Sequence, residues 1–118
     1  MRFPACRDGW IDVREDVTNV ITCTDFSDTD TITWSILQKQ VFTEVATCGP
    51  SGCTNHSSDI GAVRMTSENK TQLFYPPRGR EGEQYTLVSC VSNKAQTSQR
   101  TTSCMLNVIS MAYQSVPC

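Results

Sequence analysis

Seven cysteines in 118 residues constrain this chain more than any other feature. Reduced cytosolic chains rarely carry that density unless it holds a metal or does redox chemistry. The spacing suits neither use. No two cysteines stand in a Cys-x-x-Cys pair, and His56 is the one histidine. Disulfides made in an extracellular compartment are the remaining account. They suit a chain whose 38% hydrophobic content builds a modest core. The tripeptides Asn55-His56-Ser57 and Asn69-Lys70-Thr71 have the N-glycosylation form and agree with that compartment. Length predicts one domain. A net charge of −2 argues against a nucleic-acid partner, which would need a basic face. No apolar run approaches the ~20 residues of a membrane span, so no direct membrane contact is expected. Met1 is followed by Arg-Phe-Pro-Ala, with no apolar signal region. The chain stops on Cys118 just after a proline, and both features suggest a piece of a longer protein.

Apolar residues alternate along most of the chain, and no stretch has a convincing helical period. Residues 10–13, 17–24, 31–37, 41–47, 62–66, 71–75, 85–92 and 102–109 read as strands. A period of two turns Ile11, Val13, Ile21, Cys23, Ile32, Trp34, Ile36, Leu106 and Val108 inward. Trp10 then faces out or caps an edge. Gly49 and Pro50 mark a turn that Cys48 and Cys53 can close, and residues 54–61 read as a polar loop. Asp25, Asp28 and Asp30 crowd one loop, but their spacing lacks the glycine and distant glutamate of an EF-hand. They read as a solvated turn.

Cys23 closes an apolar run, Trp34 follows in Ile32-Thr33-Trp34, and Cys90 ends Leu87-Val88-Ser89-Cys90. This pattern resembles the immunoglobulin superfamily, in which one disulfide bridges two sheets and an indole lies against it. The resemblance implies an all-β, immunoglobulin-like sandwich, variable-like or intermediate, of two antiparallel sheets with Greek-key connections. It would span residues 1–109, with 110–118 a tail or linker to a following domain. It implies that Cys23 bonds Cys90 against Trp34. It also implies that Cys6 bonds Cys104, because the first strand of such a sandwich runs beside the last, while Cys48 bonds Cys53 locally. Cys118 is left for another chain or domain. A Cys90–Cys104 bond remains an alternative. Loop closure gives the local link about 2 kcal/mol and the Cys23–Cys90 link about 4 kcal/mol.

Two departures from the family pattern stand out. A tyrosine usually sits two residues before the second cysteine; here Val88 does, and Tyr85 stands five before Cys90. An odd offset reverses the face. Either this strand carries a bulge or has lost the corner, or Tyr85, Leu87 and Val91 form an outward apolar face. In the second case those residues, with Phe42, make a partner surface. The last strand also lacks the Phe-Gly-x-Gly bulge of rearranging receptors. Arg64 could pair with Glu81 or Glu83, as the family often has it.

No nucleophile stands with a base, and no phosphate loop or metal-ligand cluster is present, so neither an enzyme nor a cofactor is expected. The resemblance implies recognition instead. The extra disulfides are similar to those of immunoglobulin domains in molluscan fibrinogen-related immune proteins. That implies a secreted innate-immune domain binding a pathogen-associated, protein or glycan ligand through loops or a sheet face. The alternatives are a cell-surface receptor or adhesion ectodomain that binds another immunoglobulin domain, or a spacer.

Overall fold

A computed structural model describes residues 1–14, 17–24, 31–38, 40–67, 70–76, 87–93 and 100–109. The strands are β1 (Trp10–Arg14), β2 (Asn19–Thr24), β3 (Thr31–Gln38), β4 (Val41–Gly49), β5 (Gly52–Asn55), β6 (Ala62–Ser67), β7 (Lys70–Tyr75), β8 (Leu87–Asn93) and β9 (Arg100–Ile109). They form a six-stranded sheet in the order β1-β9-β8-β3-β4-β5 and a three-stranded sheet in the order β2-β7-β6. The chain changes sheet after β1, β2, β5 and β7, which is an immunoglobulin-like sandwich with Greek-key connections.

Among the described residues the two sheets are antiparallel except at one edge. β1 runs parallel to β9, from Trp10 beside Met105 to Arg14 beside Ile109. No tight turn joins these two strands, so nothing forces them to oppose. The N-terminal segment starts on the other sheet, where Arg2 and Thr24 exchange two backbone bonds of 2.9 Å. Pro4 has no N–H to continue that ladder. The chain then crosses over, tied at Cys6 to Cys104.

Four residues form the central rung. Trp34 pairs across strands with Cys90, and Cys23 pairs with Thr71 on the other sheet. Cys23 and Cys90 are bonded, and the Trp34 Nε1 donates to Thr71 Oγ1 at 2.9 Å. A covalent link and a hydrogen bond thus join the sheets side by side. All four side chains are fully buried, so the indole N–H meets the acceptor that a buried polar group requires. Ile21, Ile32 and Ile36 surround the rung, and Leu106 closes the β9 side; Val108 is only partly buried. Phe3, in what read as a lead-in, packs its ring 5.6 Å from that of Trp34.

The region after β4 differs from a polar loop. Residues 52–55 form β5, a hairpin on β4 in which Cys48 and Cys53 pair directly and are bonded. Gly52 turns the corner at φ 125°, a conformation closed to ordinary L-residues. Beyond β5, Gly61 lies so close to β7 that a Cβ there would stand 2.6 Å from the Phe74 carbonyl oxygen.

Candidate recognition surface

Strand register decides what the outer face of the six-stranded sheet displays. Leu87 lies opposite Leu37 on one side and Met105 on the other. Met105 lies opposite Trp10, and Leu37 opposite Phe42. The result is one row across β1, β9, β8, β3 and β4: Trp10, Met105, Leu87, Leu37, Phe42. Each is an outward position beside an inward core residue, so all five share a face. Trp10 is 46% exposed, Met105 42% and Phe42 57%, while Leu87 and Leu37 are half-buried between them. Isolated exposed apolar residues are ordinary, whereas a contiguous apolar row calls for an explanation.

The neighbouring rows are polar. Ser103, Ser89, Ser35 and Glu44 form the next, with the Ser89 and Ser103 hydroxyls 2.8 Å apart. Beyond them come Thr101, Val91, Thr33, Thr47 and Thr54. His56 Nε2 meets Thr47 Oγ1 at 3.0 Å there. Of the suggested partner residues, the structure therefore brings Phe42 and Leu87 into one row. It puts Val91 among threonines one polar row away, and Tyr85 lies outside the described residues. Trp10 was expected to face out or cap an edge but was not joined to this row, and Leu37 and Met105 were missed, because each stands among polar outward neighbours in its own strand.

The question of a bulge in the strand that ends near Cys90 has a partial answer. β8 keeps one register against both neighbours from Leu87 to Ser92, so this part carries no bulge. The irregularities lie elsewhere. On β4, Val45 is an extra residue between Glu44 and Ala46, which pair with Ser35 and Trp34. Its carbonyl accepts the amides of His56 and Ser57 at 2.8 and 3.2 Å. A second shift lies between Met65 and Ser67. Cys104, opposite Val88, is bonded to Cys6 rather than to Cys90.

The sequon residues have structural occupations. Asn55 Oδ1 accepts the Val63 amide at 2.7 Å and its Nδ2 donates to the Val63 carbonyl at 3.4 Å. This amide therefore acts as a short strand along the edge of β6. Ser57 Oγ donates to the Glu44 carbonyl at 2.9 Å. Thr71 belongs to the central rung. Asn69 lies outside the described residues, as do Asp25, Asp28, Asp30, Glu81, Glu83 and Cys118. Arg64 lies over the Phe74 ring, 5.4 Å from its centroid. Among the described residues no three His, Cys, Asp or Glu side chains are grouped to hold a metal, and no helix is long and apolar enough to cross a membrane.

Comparisons with known proteins show the fold. No family model matches the sequence, and no curated protein matches it. By structure, 129 solved chains match. One is a chicken TCR crystal structure, similar at a TM-score of 0.71 and 14% identity over 93% of this chain. The present chain spans 50% of that one.

Proposed function

We propose that this chain is an extracellular recognition domain that binds a protein partner through the outer face of its six-stranded sheet. The apolar row from Trp10 to Phe42 carries this reading. It spends five apolar side chains on a solvent face, while the inter-sheet core is already filled. Three disulfides hold the sheet beneath it, so the surface enters a complex with little ordering cost. The disulfides, which persist in oxidising compartments, support the extracellular setting. The sequons support it less, since Asn55, Ser57 and Thr71 have work in the fold. A secreted innate-immune protein is the setting we favour; a cell-surface receptor or adhesion molecule would use the same face.

The test is a pentamerised form of the domain, screened against an array of extracellular domains that includes the domain itself. The expected result is a partner whose binding disappears in Phe42→Glu and Met105→Glu but persists in Gln72→Glu on the other sheet. Binding lost only in Gln72→Glu, or no partner at all, would contradict the reading.

A further inference from the structure

At the β1 end of the apolar row the sheet changes character. Trp10 there borders a shallow, open notch in the surface, shared with the exposed residues Arg7, Asp8, Asp12 and Asn107. Three features of the chain build it. First, β1 pairs in parallel with β9, so Asp12 stands beside Asn107 one outward position beyond Trp10 and Met105. Two residues of strand separate the indole from the carboxylate, roughly 7 Å, which leaves room for one small ring between them. Second, Asn107 Nδ2 donates to Asp12 Oδ1 at 3.0 Å, which fixes both side chains. Third, Arg7 and Trp10 exchange backbone bonds of 2.8 and 3.0 Å around a two-residue turn. Asp8 and Gly9 adopt φ 53° and 86° there, the left-handed pair that such a tight turn needs. The Gly9 carbonyl also accepts the Met105 amide at 2.9 Å, and the Cys6–Cys104 disulfide anchors the segment just before it.

The chemistry gathered here is specific. The indole offers a flat, partly exposed face. Around it stand a guanidinium, a primary amide and two carboxylates, which are donors and acceptors at the rim of one shallow site. Among the described residues no ion pair or side-chain hydrogen bond engages Arg7 or Asp8. A protein side chain entering the notch would need to satisfy several polar groups of both kinds. A ring with one apolar C–H face and hydroxyls around its edge does so at once. The C–H face covers the indole while the hydroxyls donate to carboxylates and accept from Arg7 and Asn107.

We infer that this notch binds a neutral pyranose at the end of a glycan chain. The single Arg against two Asp leaves the site with a net negative charge, which repels sialylated, sulfated and phosphorylated sugars. Because the turn, the disulfide and the Asp12–Asn107 bond are in place beforehand, the sugar meets a formed site. It is a second binding function, distinct from the protein-binding reading of the sheet centre, although Trp10 belongs to both.

The experiment is an array of neutral, sialylated and sulfated glycans probed with the pentamerised domain. Neutral glycans with terminal hexopyranose are expected to bind, and the free monosaccharide to compete. Binding should fall at least about tenfold in Trp10→Ala and in Asp12→Ala, and persist in Phe42→Glu, which disables the proposed protein face. Titration with the free sugar should change tryptophan emission, a change absent in Trp10→Phe; Trp34 is fully buried and serves as the internal control of folding. If a Trp10 variant fails to fold, Arg7→Ala at the exposed turn supplies the same comparison. Absence of binding to neutral glycans, confinement to acidic ones, or retention in Asp12→Ala would each overturn the inference. The failure of this site leaves the Phe42-dependent protein binding untouched, so the two readings fall separately.

Discussion

The two outer faces of this sandwich rest on the same core and are dressed differently. On the three-stranded sheet, Val20, Phe74 and Ala62 form one row, and Thr22, Gln72 and Arg64 the next. Two of the larger groups there are covered, while Val20 is 50% exposed. Arg64 lies over Phe74, and Gln72 Nε2 donates to Thr22 Oγ1 at 3.2 Å. On the six-stranded sheet no arginine among the described residues lies over a ring of the apolar row. An arginine over a phenylalanine keeps an apolar ring compatible with solvent. Trp10, Met105 and Phe42 are instead 46%, 42% and 57% exposed, and such a surface gains by meeting another apolar surface. The difference is one of extent: the six-stranded sheet displays a row of five apolar residues, which is where the proposed function places the partner.

The largest expected effect tests whether the two faces share one floor. Trp34→Ala removes the indole that packs on Phe3 and bonds Thr71, and should cost about 3–5 kcal/mol in urea unfolding. A cost below about 1 kcal/mol would mean the sheets are held together elsewhere. Next comes Asn55→Ala, which strips both bonds from the Val63 backbone at the edge of the three-stranded sheet. It should cost about 1–2 kcal/mol by the same measurement and leave the row intact. Smaller still is Arg64→Ala, with about 0.5–1 kcal/mol lost from the contact over Phe74. It should also give the polar face a new apolar spot, read as increased binding of a hydrophobic dye. If dye binding stays at the wild-type level, Arg64 is not what covers that face. Phe42→Glu should change stability by no more than about 0.5 kcal/mol and yet abolish partner binding. A strongly destabilised Phe42→Glu would show that the residue belongs to the fold instead.

How much of this could be read from the chain follows from the range of each signal. Alternation within a strand is local, so Ile32, Trp34 and Ile36, or Ile21 and Cys23, declare a common face by themselves. Leu87 does too, being out of phase with Val88 and Cys90. The row is different in kind. Trp10, Leu37, Met105 and Phe42 come from four separate strands, and only cross-strand register aligns them. No single stretch encodes that register. Phe3 escaped for a related reason: it lies outside any alternating run, and its burial depends on the crossover after Arg2. β5 is hard to read from its polar end, Thr54-Asn55, although Pro50-Ser51 between two glycines is a hairpin signal of the right length. Thr71 and Asn55 show the reverse hazard. As tripeptide members they suggested glycans, while their side chains are engaged in holding the two sheets together.

The register of β8 supports everything above, because it turns Cys90 inward and Leu87 outward at once. A peptide map of the unreduced protein tests it most directly. The expected map contains Cys23 joined to Cys90, Cys6 to Cys104 and Cys48 to Cys53. A peptide joining Cys90 to Cys104 would contradict the register, dissolve the central rung with Trp34 and Thr71, and scatter the row on which the proposed recognition face rests.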